Sequence, residues 1–154
     1  MNEAEPEAET EAETEVEAVE TSQIWSLWKI GLVAAGVSAV ANLVLLFATK
    51  PFMDVPDSLA PMTPPAVIIW SLIGAMGAIG VFALLRKSST DPHKTFRAIA
   101  IVVLVVSFLP DIVLINVTDG PFGGASWGAI FVLMIMHVIS FAVVMPLLRK
   151  HAST

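Results

Sequence analysis

The sequence predicts an all-α integral membrane protein: a bundle of four transmembrane helices with a disordered acidic N-terminal tail. The 154 residues are 56% hydrophobic and only 14% charged, whereas soluble proteins carry roughly 25% charged residues. The mean hydropathy is +0.80. A chain of this length has too little interior to bury so many apolar side chains. The surplus is therefore expected to face lipid, in four apolar runs of nearly 20 residues each.

The predicted tail covers residues 1–23. Nine glutamates precede residue 21, at nearly every second position. Low hydrophobicity and mutual repulsion of these charges predict disorder. Two interpretations stay open: a solvated tail without a binding role, which we favour, and an acidic segment that docks on a basic partner or on its own chain. The remainder, residues 24–150, is predicted to form the transmembrane domain.

The first two predicted spans cover about residues 28–49 and 66–85. A helix that rises ~1.5 Å per residue needs about 20 residues to cross the ~30 Å hydrocarbon layer. The loop between them, residues 50–65, contains five prolines. Because proline lacks a backbone donor and restricts the preceding residue, this loop is predicted to lie extended over the outer surface.

The last two predicted spans cover about residues 97–117 and 127–148, joined by a Gly-rich turn at 118–126. Trp127 opens the fourth span, as an amphipathic ring at a membrane interface should. Helices are predicted rather than strands, because an open sheet would leave backbone groups unpaired in lipid.

Lysine and arginine are distributed unevenly between the two sides. Seven of the eight lie on the side that holds the tail, the 86–97 loop and the C-terminus, and only Lys50 lies on the other. The positive-inside rule then predicts that both termini are cytoplasmic.

Small and polar residues recur along single helix faces. In the first span they are Gly31, Ala35, Ser38, Asn42 and Thr49. In the second they are Gly74 and Gly77, next to Trp70, with Ala78 and Gly80 nearby. Small residues let membrane helices approach closely, and polar residues hydrogen-bond across the contact. Both faces are therefore predicted to be surfaces of close helix contact.

The third span contains Asp111 directly after Pro110. A carboxylate at mid-helix costs roughly 2.5–3.5 kcal/mol on insertion scales, and less toward the interface. Asp111 is therefore predicted to face the bundle interior or a wet cavity. Ser107 and Thr118 follow the same helical stripe and are predicted to share that face.

Depth arguments place three polar residues close together. Asn42 and Asp111 lie about 21 Å along their spans from the cytoplasmic side, and His137 lies closer to the midplane. The candidate intramembrane polar site is therefore Asn42, Asp111 and His137. It is either a proton or ligand site, since intramembrane ionisable groups often mark pathways, or a structural set that holds helices together.

Several chemistries are excluded by residue type. The absence of cysteine removes disulfides, thiol chemistry and cysteine metal sites. Haem in a helix bundle usually needs two axial histidines, but the spans contain only His137. A metal site needs three or four ligands, and His137 with Asp111 provides two. No serine has a convincing base beside it, and no basic patch mixed with aromatics supports nucleic-acid binding. No enzyme activity, metal or cofactor is expected.

The stretches "LWKIGLVAAGVSAVANLVLL", "SFLPD" and "MHVISFAVVMPLL", with the proline-rich loop, resemble a family of small four-span bacterial membrane proteins defined only as a domain of unknown function. The resemblance covers residues 25–149. It implies a location in the bacterial cytoplasmic membrane and supplies no activity.

Two functional hypotheses follow. The first is a non-enzymatic membrane protein that acts through helix association, as an oligomer or as a subunit of a membrane complex. Its expected partners are the lipid bilayer and either a second copy or another membrane protein. The alternative is a small proton-linked transporter with its polar site at Asp111 and His137.

Overall fold

The computed structural model describes the backbone of residues 5–53, 56–57 and 59–151, and within these ranges the side chains from Trp25 to Lys150. Four α-helices carry the fold, and the described residues contain no strand. The helices are α1 (Glu5–Thr49), α2 (Pro64–Ser88), α3 (Pro92–Val113) and α4 (Trp127–His151). Each contains a segment long and apolar enough to cross a membrane. The predicted fold class, an all-α bundle of four membrane helices, is confirmed.

The helices begin where the sequence supplies capping groups. Two prolines open α2, where their missing N–H groups cost no helical hydrogen bond. The Asp91 carboxylate accepts a hydrogen bond from the Lys94 backbone N–H at 3.1 Å and caps α3. The Ser126 hydroxyl accepts one from the Ala129 backbone N–H at 3.2 Å and caps α4.

The N-terminal tail differs from the sequence prediction. Disorder was predicted over residues 1–23, of which residues 1–4 lie outside the described part of the chain. From Glu5 the backbone is helical and continues without a break into the first membrane-spanning segment. Alanine and glutamate are strong helix formers, and an existing helix supplies the nucleus that an isolated segment would have to form.

The four helices form two apolar clusters, one at each end of the bundle. The first contains the N-terminal part of the α1 span, the end of α2, the start of α3 and the end of α4; it includes Leu27, Ile79, Phe82, Phe96 and Leu148. We call this the basic end, because Lys and Arg residues flank all four helices there. The second, at the loop end, includes Leu46, Leu59, Met62, Val67 and Ile130.

The helices contribute unequally to these clusters. The most apolar part of α1 is 44% buried, whereas that of α3 is only 6% buried. Helix α1 packs against α2 and α4, and α3 packs against α4 and α2. The outward side of α3 consists of aliphatic residues such as Val102, Val105 and Leu109, which lipid solvates well. The core therefore depends mainly on α1, α2 and α4.

The described residues of the loop after α1 are less extended than predicted. It forms two 3₁₀ turns, at Lys50–Phe52 and Ala60–Met62, and it buries Leu59 and Met62 almost completely in the loop-end cluster. Hydrogen bonding from the Lys50 ammonium, 2.8 Å from the Asp57 carboxylate, together with its charge, holds the pKa of Asp57 below its usual value. The loop thus closes the bundle instead of lying extended over its surface.

Helices α1 and α2 approach closely at Gly31. A Cβ atom at this position would lie 2.8 Å from Ile79 Cγ1 and 3.1 Å from Met76 Sδ. Farther along α1, Ala35, Ser38 and Asn42 are buried too. The predicted contact face of the first span is therefore confirmed over these residues.

The corresponding face of α2 points away from the bundle. Gly74 and Gly77 are exposed, and a Cβ atom at either position would have no neighbour within 4 Å. Trp70 and Val81 are exposed on the same helical stripe. We call these four residues the glycine face of α2. It was predicted to be a surface of close helix contact, but among the described residues no helix of this chain lies against it.

Candidate functional site

The buried polar side chains lie between the two apolar clusters. They are Ser38, Asn42, Ser71 and Asp111. In α1 the basic-end cluster reaches Ala35 and the loop-end cluster resumes near Leu46, so Ser38 and Asn42 fall in the gap. The same interruption occurs in α2, between Val67 and Ala75, and in α4, between Met136 and Val144. We call this zone, with the half-buried His137 and Ser140 of α4, the polar layer.

Asn42 is the centre of one half of the polar layer. Its side-chain Nδ2 donates to Ser71 Oγ at 3.2 Å and to Ser140 Oγ at 3.1 Å. One amide thus connects α1 with both α2 and α4. Asn42 Oδ1 and Ser38 Oγ, one helical turn apart, are buried without a hydrogen-bond partner among the described residues.

Asp111 and His137 form the other half, between α3 and α4. The His137 Nδ1 atom lies 3.3 Å from Asp111 Oδ2 and 2.9 Å from the Leu133 backbone oxygen. A carbonyl oxygen only accepts, so the Nδ1 atom carries a proton and donates it to Leu133. In the neutral ring Nε2 is then the nitrogen with the free lone pair.

The contact between Asp111 and His137 is electrostatic and not a hydrogen bond. Because Nδ1–H points at the Leu133 carbonyl, Asp111 Oδ2 is buried without a hydrogen-bond partner among the described residues. The Phe108 ring meets the imidazole edge to face, with ring centroids 6.3 Å apart. The Asp111 side chain is 10% exposed and that of His137 is 39% exposed. The pair therefore lies at the edge of the bundle, with the carboxylate inside.

The structure divides the three candidate residues into two groups. Asp111 and His137 are in contact, but the hydrogen bonds of Asn42 go to Ser71 and Ser140. Asn42 lies on α1, which packs on α2 and α4, whereas the ionisable pair joins α3 to α4. Their assignment to one functional site stays a prediction.

The predicted inward stripe of α3 holds only in part. Asp111 is buried and Ser107 is half-buried, with its hydroxyl donating to the Leu104 carbonyl at 2.7 Å. Thr118 lies beyond the end of the helix, is exposed, and donates to the Asp119 carboxylate at 3.1 Å. Helix α3 ends at Val113, so the helical spacing on which the prediction relied does not reach Thr118.

Ser71 belongs to the polar layer but was not among the residues predicted from the sequence. It lies seven residues from Pro64 at the loop end of α2, and Asn42 lies seven residues from Thr49 at the loop end of α1. Both are therefore about 10 Å from that end of their helices. This equal depth of Ser71 and Asn42 was the feature of the sequence from which their contact could have been predicted.

The polar layer can hold protons, but it does not offer a set of metal ligands. The described residues contain no group of three or more His, Asp or Glu side chains suited to a metal ion. The carboxylate and imidazole can each take up a proton. Asn42 and its hydrogen-bond partners, Ser71 and Ser140, have no ionisable side chain, so their chemistry is limited to hydrogen bonding.

Four apolar helices of spanning length around a buried polar layer define a small multi-pass membrane protein. The chain belongs to the family described as Family of unknown function (DUF6069), whose model matches residues 22–154. The match includes the apolar part of every helix, in agreement with the resemblance seen in the sequence. No curated protein and no solved structure matches the chain.

Proposed function

We propose that this protein is non-enzymatic and acts through helix association in the membrane, as an oligomer or as a subunit of a membrane complex. The observation that supports this is the outward direction of the glycine face of α2. A helix side that meets only lipid gains nothing from glycine, which weakens a helix relative to alanine. A helix side that meets another helix gains close backbone approach.

The contrast between α1 and α2 strengthens the argument. Gly31 of α1 is in tight contact inside the bundle, whereas Gly74 and Gly77 of α2 have open space around them. Gly74 and Ala78 have the spacing of small residues that is common at membrane helix contacts. The exposed Trp70 beside them offers a large ring to a partner. A second copy or another membrane protein would complete this surface.

The test replaces Gly74 and Gly77 with leucine. Both sites are open within the chain, so the variant is expected to fold normally but to lose association by at least about tenfold, equivalent to about 1.4 kcal/mol. Gly36→Leu is the matched control, because Gly36 is also exposed with no neighbour within 4 Å but lies on α1 among large aliphatic residues. Cross-linking in native membranes followed by blue-native electrophoresis measures the assembly.

A strictly monomeric wild-type protein at native expression level, with no cross-linked partner, would contradict the proposal. So would equal losses in the Gly36 control and in the α2 variant, because the effect would then come from bulk on any lipid-facing surface.

The second candidate function is proton-linked transport, and the Asp111–His137 contact favours it. A carboxylate and an imidazole whose nearest atoms lie 3.3 Å apart in membrane-spanning helices can each take up a proton, one at a buried and one at a half-exposed position. The buried Asp111 oxygen without a hydrogen-bond partner among the described residues is the kind of atom that a proton or a bound solute would satisfy.

This alternative is tested with protein reconstituted in liposomes that enclose a pH indicator. Asp111→Asn and His137→Ala should each slow the decay of an imposed pH gradient to the rate of protein-free liposomes. Ser107→Ala is the matched control: it removes a half-buried hydroxyl one turn away that bonds only its own helix. Wild-type decay no faster than that of empty liposomes would exclude proton flux.

We also propose that the protein resides in the bacterial cytoplasmic membrane with the basic end on the cytoplasmic side. The excess of Lys and Arg at that end supports this orientation.

A further inference from the structure

A cavity of about 260 Å³ lies at the basic end, between the start of α3 and the end of α4. Its lining includes Asp91, Lys94, Phe96, Arg97, Leu148 and Arg149. The volume is below the ~300–1,000 Å³ of typical drug-sized pockets. It suits a small head group rather than a large soluble ligand.

The polar side of the cavity is strongly cationic. The lining has the cationic side chains of Lys94, Arg97 and Arg149, against the single carboxylate of Asp91. Asp91 already accepts a hydrogen bond from the Lys94 backbone N–H, so the first turn of α3 is capped. Lys94 and Arg97 form no ion pair with any residue that the structure describes. Two cationic side chains are thus available for an anion.

The other side of the cavity is apolar and continuous with the core. Phe96 and Leu148 are almost fully buried members of the basic-end cluster. Ile101 and Val105 lie one and two turns farther along α3, toward the loop end and on the same face as Arg97, and both are exposed. A ligand with a charged group at the membrane surface and hydrocarbon below it would match this order of side chains.

We infer that this cavity binds the phosphate of an anionic phospholipid head group, with Lys94 and Arg97 as its main contacts. Basic pockets between membrane helices are a recurrent way of holding anionic head groups. The lipid glycerol lies against Phe96 and Leu148, and an acyl chain follows Ile101 and Val105 along α3. The apolar floor distinguishes this ligand from free phosphate, which gains nothing from hydrocarbon contact.

The experiment measures equilibrium binding of phosphatidylglycerol, labelled on an acyl chain, to the full chain in detergent. The wild type is expected to bind it about 30-fold more tightly than K94Q/R97Q, since each cation near an anionic lipid surface contributes about fivefold. The single variants K94Q and R97Q should each lose about fivefold, which keeps the test valid if the double variant does not fold. R86Q/K87Q is the matched control, because it removes two charges at the same end outside the cavity.

Three outcomes would overturn the inference. Equal displacement of the label by phosphatidylcholine would show that the charge of the head group is not recognised. Displacement by inorganic phosphate as effective as that by unlabelled phosphatidylglycerol would identify free phosphate as the ligand. A loss in R86Q/K87Q equal to that in K94Q/R97Q would show attraction to the whole basic end and no defined site.

Discussion

At the scale of single residues, Asn42 shows how one amide organises helices in lipid. It donates to a serine on each of two other helices. Hydrogen bonds between membrane helices average about 0.6 kcal/mol and reach about 1.7 kcal/mol, so the pair contributes modestly to stability. Their geometry is more informative than their energy, because both serines must lie at the level of Asn42 for the bonds to form. Asn42 thus fixes the vertical register of α1 against α2 and α4.

Replacing Asn42 separates hydrogen bonding from packing. Asn42→Ala removes both bonds and leaves a cavity, and we expect a loss of about 1–3 kcal/mol in the free energy of unfolding. Asn42→Leu refills much of the volume, and Ser71 and Ser140 can turn their hydroxyls to carbonyls of their own helices, so its loss should be smaller. Unfolding in mixed micelles, followed by circular dichroism during titration with dodecyl sulfate, measures both. The assignment of Asn42 as a register residue would be wrong if Asn42→Ala were as stable as the wild type.

Residue spacing predicted part of the polar layer, and the limit of that prediction has a physical cause. Helical period and depth locate a side chain on its own helix, so Asp111 was correctly expected to be buried. They do not specify which helices are neighbours, because a four-helix bundle can be assembled in either hand. Grouping Asn42 with Asp111 and His137 required α1 to reach the α3–α4 contact, but Asn42 bonds to Ser71 and Ser140.

At the scale of helices, the same residue type has opposite roles on α1 and α2. Glycine permits contact with Ile79 on α1 and leaves an open stripe on α2. The sequence predicted both stripes as contact surfaces, since the pattern of small residues is the same in each. It could not tell an intramolecular contact from an intermolecular one, because spacing records the shape of a helix side and not the identity of its partner.

Gly31→Ala tests the α1–α2 contact. The added methyl group would lie 2.8 Å from Ile79 Cγ1, an atom next to a branched Cβ that has little freedom to move. Overpacking typically costs about 1–3 kcal/mol, and the helix propensity of alanine returns up to about 1 kcal/mol, so we expect a net loss of about 1 kcal/mol. Gly36→Ala, on the same helix in open space, should keep or slightly raise stability. Equal stability of the two variants would show that α1 and α2 are not in close contact at Gly31.

At the scale of the whole molecule, the ends of the bundle differ in chemistry. The basic end has seven of the eight Lys and Arg residues, and the loop end has one, paired with Asp57. The cationic cavity lies at the first end, and the loop with the buried Leu59 and Met62 closes the second. One end is thus suited to an anionic lipid surface, and the other is covered by its own loop. Orientation in the membrane decides which compartment each end meets.

Cysteine labelling can determine that orientation cleanly, because the chain has no cysteine of its own. Thr90, in the turn between α2 and α3, and Asp119, in the turn after α3, are both exposed and lie at opposite ends of the bundle. If the basic end is cytoplasmic, a membrane-impermeant maleimide should label Asp119→Cys in intact spheroplasts and Thr90→Cys only after permeabilisation. The reverse pattern would place the basic end outside, and the cationic cavity would then face the outer leaflet. Equal labelling of both sites in intact spheroplasts would mean that the helices do not hold a single orientation, and the charge asymmetry would not control insertion.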